Sequence, residues 1–117
     1  MKLSEVRNIL KAEVLEGEEC LDETIFAAGG ADLMDDVLSA VAKGSLLLTG
    51  LISEEVIRTA KISDVGAVVF VRGKKPGQKI LELARYYKLP IFLTSYSMFV
   101  ASGRLYMNGL RGLDGSW

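Results

Sequence analysis

Val-Gly-Ala-Val-Val-Phe-Val-Arg-Gly-Lys-Lys-Pro-Gly, residues 65–77, is the stretch whose reading decides the fold. Val68, Val69, Phe70 and Val71 are β-branched or aromatic without polar alternation, the pattern of a strand buried on both faces of a parallel sheet. The chain then turns abruptly to Arg72, Gly73, Lys74, Lys75 and Pro76, which places three cations in a tight loop ahead of a helix.

Two further stretches repeat this design. Leu46, Leu47 and Leu48 run into Thr49-Gly50, and Pro90, Ile91, Phe92 and Leu93 run into Thr94-Ser95. The segments between them have helical period. Ser53 with Glu54 and Glu55 starts one helix, which packs through Val56, Ile57 and Ala60 and closes at Ser63-Asp64. Pro76-Gly77 starts the next, with Ile80, Leu81, Leu83 and Ala84 inward and Tyr86, Tyr87 and Leu89 completing its apolar surface. Strand, helix, strand, helix, strand implies right-handed crossovers and a parallel sheet. The expected fold class is α/β, a three-layer sandwich around a mainly parallel sheet.

Outside this repeating half, Ser4 is the expected cap of a short helix with Val6, Ile9 and Leu10 on one face, ending near Lys11. Residues 12–15 read as a strand turning at Glu16-Gly17, and residues 24–28 as a second strand bent at Gly29-Gly30. Asp32 is the expected cap of a helix whose stripe is Leu33, Met34, Val37, Leu38 and Val41, stopped at Gly44. A last helix over residues 96–102 is expected to stop at Gly103. The end contributes an edge strand or packs under the sheet, and residues 105–117 form a tail or a dimer contact.

The chain has 117 residues, the length of one domain, with half of them hydrophobic and a quarter charged, which excludes a disordered segment. A formal charge of -1 gives no field for nucleic acid or an anionic membrane. The single Cys20, the absence of a signal-like start and the lack of a long apolar run lead to the expectation of a cytoplasmic protein. There is no histidine, which removes the commonest general base and zinc ligand, so no enzyme activity and no cofactor are expected.

In parallel sheets ligands sit beyond the carboxyl ends of the strands, which here carry Thr49, Gly50, Arg72, Gly73, Lys74, Thr94 and Ser95. Cations beside a helix start suit a phosphate or carboxylate. The loop matches neither the phosphate-loop nor the dinucleotide pattern, and a solvated turn is the alternative reading. Tyr96 and Tyr106 either stack on a ring or belong to the core rim. Glu16, Glu18 and Glu19 read as a solvated turn, Asp35 and Asp36 as acids favoured by a helix dipole, and Cys20 as a small buried hydrophobe.

Taken together, Ala-Gly-Gly-Ala-Asp-Leu-Met-Asp-Asp-Val-Leu (residues 28–38), Leu-Leu-Leu-Thr-Gly, Val-Val-Phe-Val-Arg-Gly-Lys-Lys-Pro and Leu-Pro-Ile-Phe-Leu-Thr-Ser-Tyr-Ser-Met-Phe resemble the DRTGG domain family, over nearly the whole chain. That family is similar in turn to the N-terminal domain of bacterial HPr kinase/phosphorylase. Its members stand alone or beside phosphate acetyltransferase or CBS-containing pyrophosphatase modules. The resemblance implies a single regulatory or ligand-sensing domain, a homodimer, without catalysis of its own. The turns that carry the family's namesake residues read Thr49-Gly50-Leu51-Ile52-Ser53 and Val71-Arg72-Gly73-Lys74, retaining a glycine and a nearby cation. The leading expectation is a small anionic metabolite or nucleotide bound at the strand ends; the alternative is a module that docks on itself or on a metabolic enzyme.

Overall fold

A computed structural model of the chain describes residues 1–34 and 43–112. Its elements in chain order are α1 (Leu3–Leu10), β1 (Glu13–Glu16), a short 3-10 turn (Glu18–Cys20), β2 (Ala28–Gly30), β3 (Leu46–Thr49), α2 (Glu54–Ile62), β4 (Ala67–Phe70), α3 (Gln78–Tyr87), β5 (Ile91–Leu93) and α4 (Met98–Met107). The helix expected after Asp32 falls mostly on residues 35–42, outside the described residues. So do Asp35, Asp36 and residues 113–117.

The five strands form one sheet in the order β1-β5-β4-β3-β2. β2, β3, β4 and β5 run parallel, and β1 pairs antiparallel with β5 at one edge. All of β3 and β4 is buried, because helices cover both faces. Alternate residues of each strand face opposite layers. Leu46, Leu48, Ala67, Val69 and Phe92 pack with Leu3, Val6 and Leu10 of α1 and Ala101 and Leu105 of α4. Leu47, Val68, Phe70 and Ile91 pack with Val56, Ile57 and Ala60 of α2 and Ala84 of α3. The result is the expected three-layer α/β sandwich with a mainly parallel sheet.

The repeating half follows its sequence signals. The Ser53 hydroxyl accepts from the Val56 amide at 3.4 Å and caps α2, and Lys88 closes α3 in the left-handed conformation. Ile80, Leu81 and Leu83 are partly buried beside Ala84, whereas Tyr86 is 79% exposed and does not join that apolar face. Its ring meets Tyr87 edge-on, with centroids 5.2 Å apart.

Elsewhere the structure differs from the expectations. Lys2, and not Ser4, caps α1: its amide donates to the Glu5 carboxylate at 3.0 Å, and the Leu3 and Ser4 amides donate to the Glu23 and Leu21 carbonyls. Residues 24–28 are not a strand. Thr24 makes only an isolated bridge with Lys2, Phe26 is 76% exposed, and pairing begins at Ala28. Gly29 and Gly30, read as a bend, are strand residues opposite Leu47 and Leu48. The Met98 side chain lies over Gly30, its Sδ 2.8 Å from the position a Cβ would take, so a larger residue there would have to displace it.

α4 runs through Gly103 to Met107 and ends before Gly109, whose φ of 104° breaks it. The segment after it packs under the sheet, with Leu110 in the core, and Gly112 bridges Ala28 at the β2 edge. No helix among the described residues is long and apolar enough to cross a membrane.

Candidate functional site

The carboxyl ends of the four parallel strands are joined to one another by backbone hydrogen bonds. Ala31 donates to Leu48, Val71 to Thr49 and Thr94 to Phe70, at 3.1, 3.1 and 3.0 Å. Beyond them, the Arg72 amide donates to the Tyr96 carbonyl and the Gly73 amide to the Thr94 carbonyl, both at 2.8 Å. The chain can meet these two acceptors only by turning sharply, and Arg72 and Gly73 both take positive φ, 63° and 67°. Three other non-glycine residues among those described do so, Lys11, Asp64 and Lys88, and each ends a helix. Arg72 alone among the described residues is held in this strained conformation at the end of a strand, a placement that recurs at ligand clamps.

That conformation sends the Arg72 guanidinium across the neighbouring loop. It lies against Gly50 so closely that a Cβ at this position would collide with Nη2. Glycine at residue 50 therefore makes room for the arginine. Arg72, Lys74 and Lys75 are all exposed, and among the described residues none has a carboxylate within 4.0 Å. Ser95 is exposed beside them, its Oγ 4.0 Å from the Cβ position of Gly73. The structure thus brings Gly50, Arg72, Gly73 and Ser95 together.

The two threonines are placed differently from the exposed groups. Thr49 is fully buried, and its hydroxyl donates to Asp32 Oδ1 at 3.2 Å while accepting the Leu51 amide at 3.1 Å. Thr94 is 1% exposed, and its hydroxyl donates to the Leu10 carbonyl at 2.8 Å while accepting the Tyr96 amide at 3.3 Å. Both hydroxyls shape the loops from beneath. Thr94→Val keeps the side-chain volume but strands the Leu10 carbonyl, so an unfolding free energy lower by about 1–3 kcal/mol is expected in urea titration.

Asp32, the expected helix cap, also reaches the neighbouring strand end. Its Oδ1 also accepts the Gly50 amide at 2.8 Å, so it organises the loop on which Arg72 lies. The available signal was position: Asp32 follows the end of β2 as Thr49 and Gly50 close β3, but a strand made of Ala28, Gly29 and Gly30 hides that equivalence.

Among the described residues, one concavity of about 180 Å³ lies between β2 and α4, and one of about 260 Å³ at the amino ends of the strands. The second is lined by Lys43, Lys61, Asp64 and Lys88. It collects the carboxyl ends of α2 and α3, whose carbonyls favour cations, so its lysines answer the helices and it is the poorer place for an anion. Tyr96 packs against the core and carries the Arg104 guanidinium 4.5 Å from its centroid.

The acidic turn is not solvated throughout. Glu16 takes a two-pronged ion pair from Arg85, at 3.1 and 2.8 Å, which ties β1 to α3. Cys20 is partly buried, and desolvation first, then its hydrogen bond to Glu23 and the charges of Glu23 and Glu19, push its thiol from 9.0 up to about 11. Folding favours the thiol, so any stability this group adds is present below pH 9 and is lost as pH rises through 11. Iodoacetamide at pH 8 is expected to label folded Cys20 about 100-fold more slowly than the unfolded chain, since the thiolate is the reactive form. Equal rates would contradict the placement.

The chain belongs to the DRTGG domain family, whose model matches residues 5–107. Among solved structures it is similar to the CBS and DRTGG domains of the regulatory region of Clostridium perfringens pyrophosphatase, complexed with the activator diadenosine tetraphosphate. Sequence identity is 20% and the TM-score is 0.75, over 89% of this chain and 45% of that one. The chain spans less than half the length of that structure, and the likeness establishes the fold. No curated protein matches the chain.

Proposed function

We propose that this domain is a non-catalytic regulatory module that senses a small anionic metabolite or nucleotide at the carboxyl ends of its parallel strands. One observation carries the reading: Arg72, strained at a strand end, lays an exposed guanidinium across Gly50, and no carboxylate among the described residues pairs with it. Arg72 and Lys74 hold the anion, and Gly73 and Ser95 border it. Thr49, Gly50 and Thr94 set the loops in place, with Asp32 bracing Gly50. The pyrophosphatase region of the same fold was solved with a nucleotide activator, which supports a nucleotide among the candidates. The likeness to the N-terminal domain of HPr kinase/phosphorylase is part of the same proposal, as is a metabolic enzyme under its control.

A single cysteine, Cys20, which can form no disulfide within this sequence, supports a cytoplasmic setting. A homodimer is included because the resemblance implies one. Melting the protein against adenine and guanine nucleotides and acyl phosphates tests the reading. A ligand at 100 times its dissociation constant stabilises by about 2.7 kcal/mol, a rise of several degrees. The absence of any rise across the panel would overturn it.

A further inference from the structure

α4 buries only one side. Ala101 and Leu105 face the core, while Phe99 and Met107 are each 86% exposed, Tyr106 is 44% exposed and Val100 is 40% exposed. On a helix turning 100° per residue, Phe99, Gly103 and Met107 step four at a time along the side opposite Ala101 and Leu105, with Val100 and Tyr106 flanking them. A helix with large apolar residues on two opposite sides fits between two packed layers, and among the described residues this one has a single layer beneath it. Gly103 sits in the middle of the outward face. Nothing lies within 4 Å of the position a Cβ would take, so no neighbour within the described chain requires glycine there.

We propose that the outward face of α4 is a homodimer surface on which a second copy of the same helix packs antiparallel, with the two-fold axis at Gly103. The spacing is self-complementary. Phe99 and Met107 lie four residues to either side of Gly103, so the antiparallel arrangement sets Phe99 of each copy against Met107 of the other, twice over. An aromatic ring against a thioether is a favourable contact, and two facing glycines let the helix axes come close.

The charges also favour a second copy over a charged partner. No acidic residue lies between 98 and 107, and the one cation, Arg104, is held aside over the Tyr96 ring. With an aromatic covering roughly 150 Å² or more, the paired faces bury on the order of 1,000 Å² in total, an interface of the weak, concentration-dependent class. The inference rests on the paired state proposed above and not on the ligand.

Analytical ultracentrifugation of the full chain, from low micromolar to near-millimolar concentration, reads the outcome. The parent is expected to pass from monomer to dimer, and Phe99→Asp and Gly103→Leu each to weaken association by about tenfold or more. Both substitutions point into solvent in the monomer, so the circular dichroism of each variant should match the parent. In a Cys20→Ser background, oxidising a mixture of Phe99→Cys and Met107→Cys chains should cross-link unlike chains in preference to like ones. A parent that stays monomeric, a dimer untouched by both substitutions, or cross-links mainly between like chains would overturn the proposal. A nucleotide-induced rise in melting temperature that persists in Phe99→Asp would show that the ligand reading stands or falls separately.

Discussion

Phe70→Ala is expected to lower the unfolding free energy by about 3–5 kcal/mol, the cost of removing a large buried ring and leaving part of its volume empty. Phe70 is fully buried at the end of the central strand, in register with Thr49 on one side and Leu93 on the other. It belongs to the cluster that holds α2 and α3 to the sheet, with Leu47, Val56, Ile57 and Ala84. Every one of those neighbours is anchored in its own helix or strand, so the site collapses poorly around a missing ring. A domain of this kind has about 5–15 kcal/mol in all, which makes the single loss decisive. Urea titration would show the midpoint falling with little change in slope; a loss below about 1 kcal/mol would contradict the packing described.

Gly17→Val is expected to cost about 2 kcal/mol or more, for two separate reasons. Gly17 has φ of 85°, and a β-branched residue in that left-handed region is disfavoured. Its Cβ would also lie 2.8 Å from Pro90 Cα, a backbone atom that cannot swing aside. The contact matters because it closes β1 onto β5 just past the pair Glu16 and Ile91. Gly77→Ala is the control. Gly77 has φ of -75° and nothing within 4 Å of a Cβ, so a change within about 0.5 kcal/mol is expected by the same titration.

The parts of the fold legible in the sequence are those whose local signal agrees with their burial. Val68, Val69 and Phe70 are apolar without alternation because both faces are covered, and Ser53 precedes a helix because its hydroxyl finds the Val56 amide. The parts that were not legible depend on groups far along the chain. Gly29 and Gly30 carry no strand propensity; they pair because Leu47 and Leu48 offer a partner edge, and the Met98 side chain fills the space above Gly30. Gly103 breaks helices by propensity, yet α4 continues through it because Ala101 and Leu105 anchor the turns on either side.

The candidate site divides in the same way. Arg72, Gly73, Lys74 and Ser95 were visible as residues beyond strand ends, which a parallel sheet must present at one edge. The inward direction of the Thr49 and Thr94 hydroxyls was not visible, since it depends on Asp32 and on the Leu10 carbonyl, 17 and 84 residues away. Nor was the position of the Arg72 guanidinium on Gly50, which follows from two hydrogen bonds to the β5 loop.

The central claim is that the Arg72 loop holds an anion. Its most direct test is the melting temperature of the parent and of Arg72→Ala across the panel of nucleotides and acyl phosphates. The account predicts a ligand-dependent rise of several degrees in the parent that is lost in Arg72→Ala, with the two proteins melting alike in the absence of ligand. An equal rise in both proteins would place binding elsewhere, and no rise in either would contradict the sensing function itself.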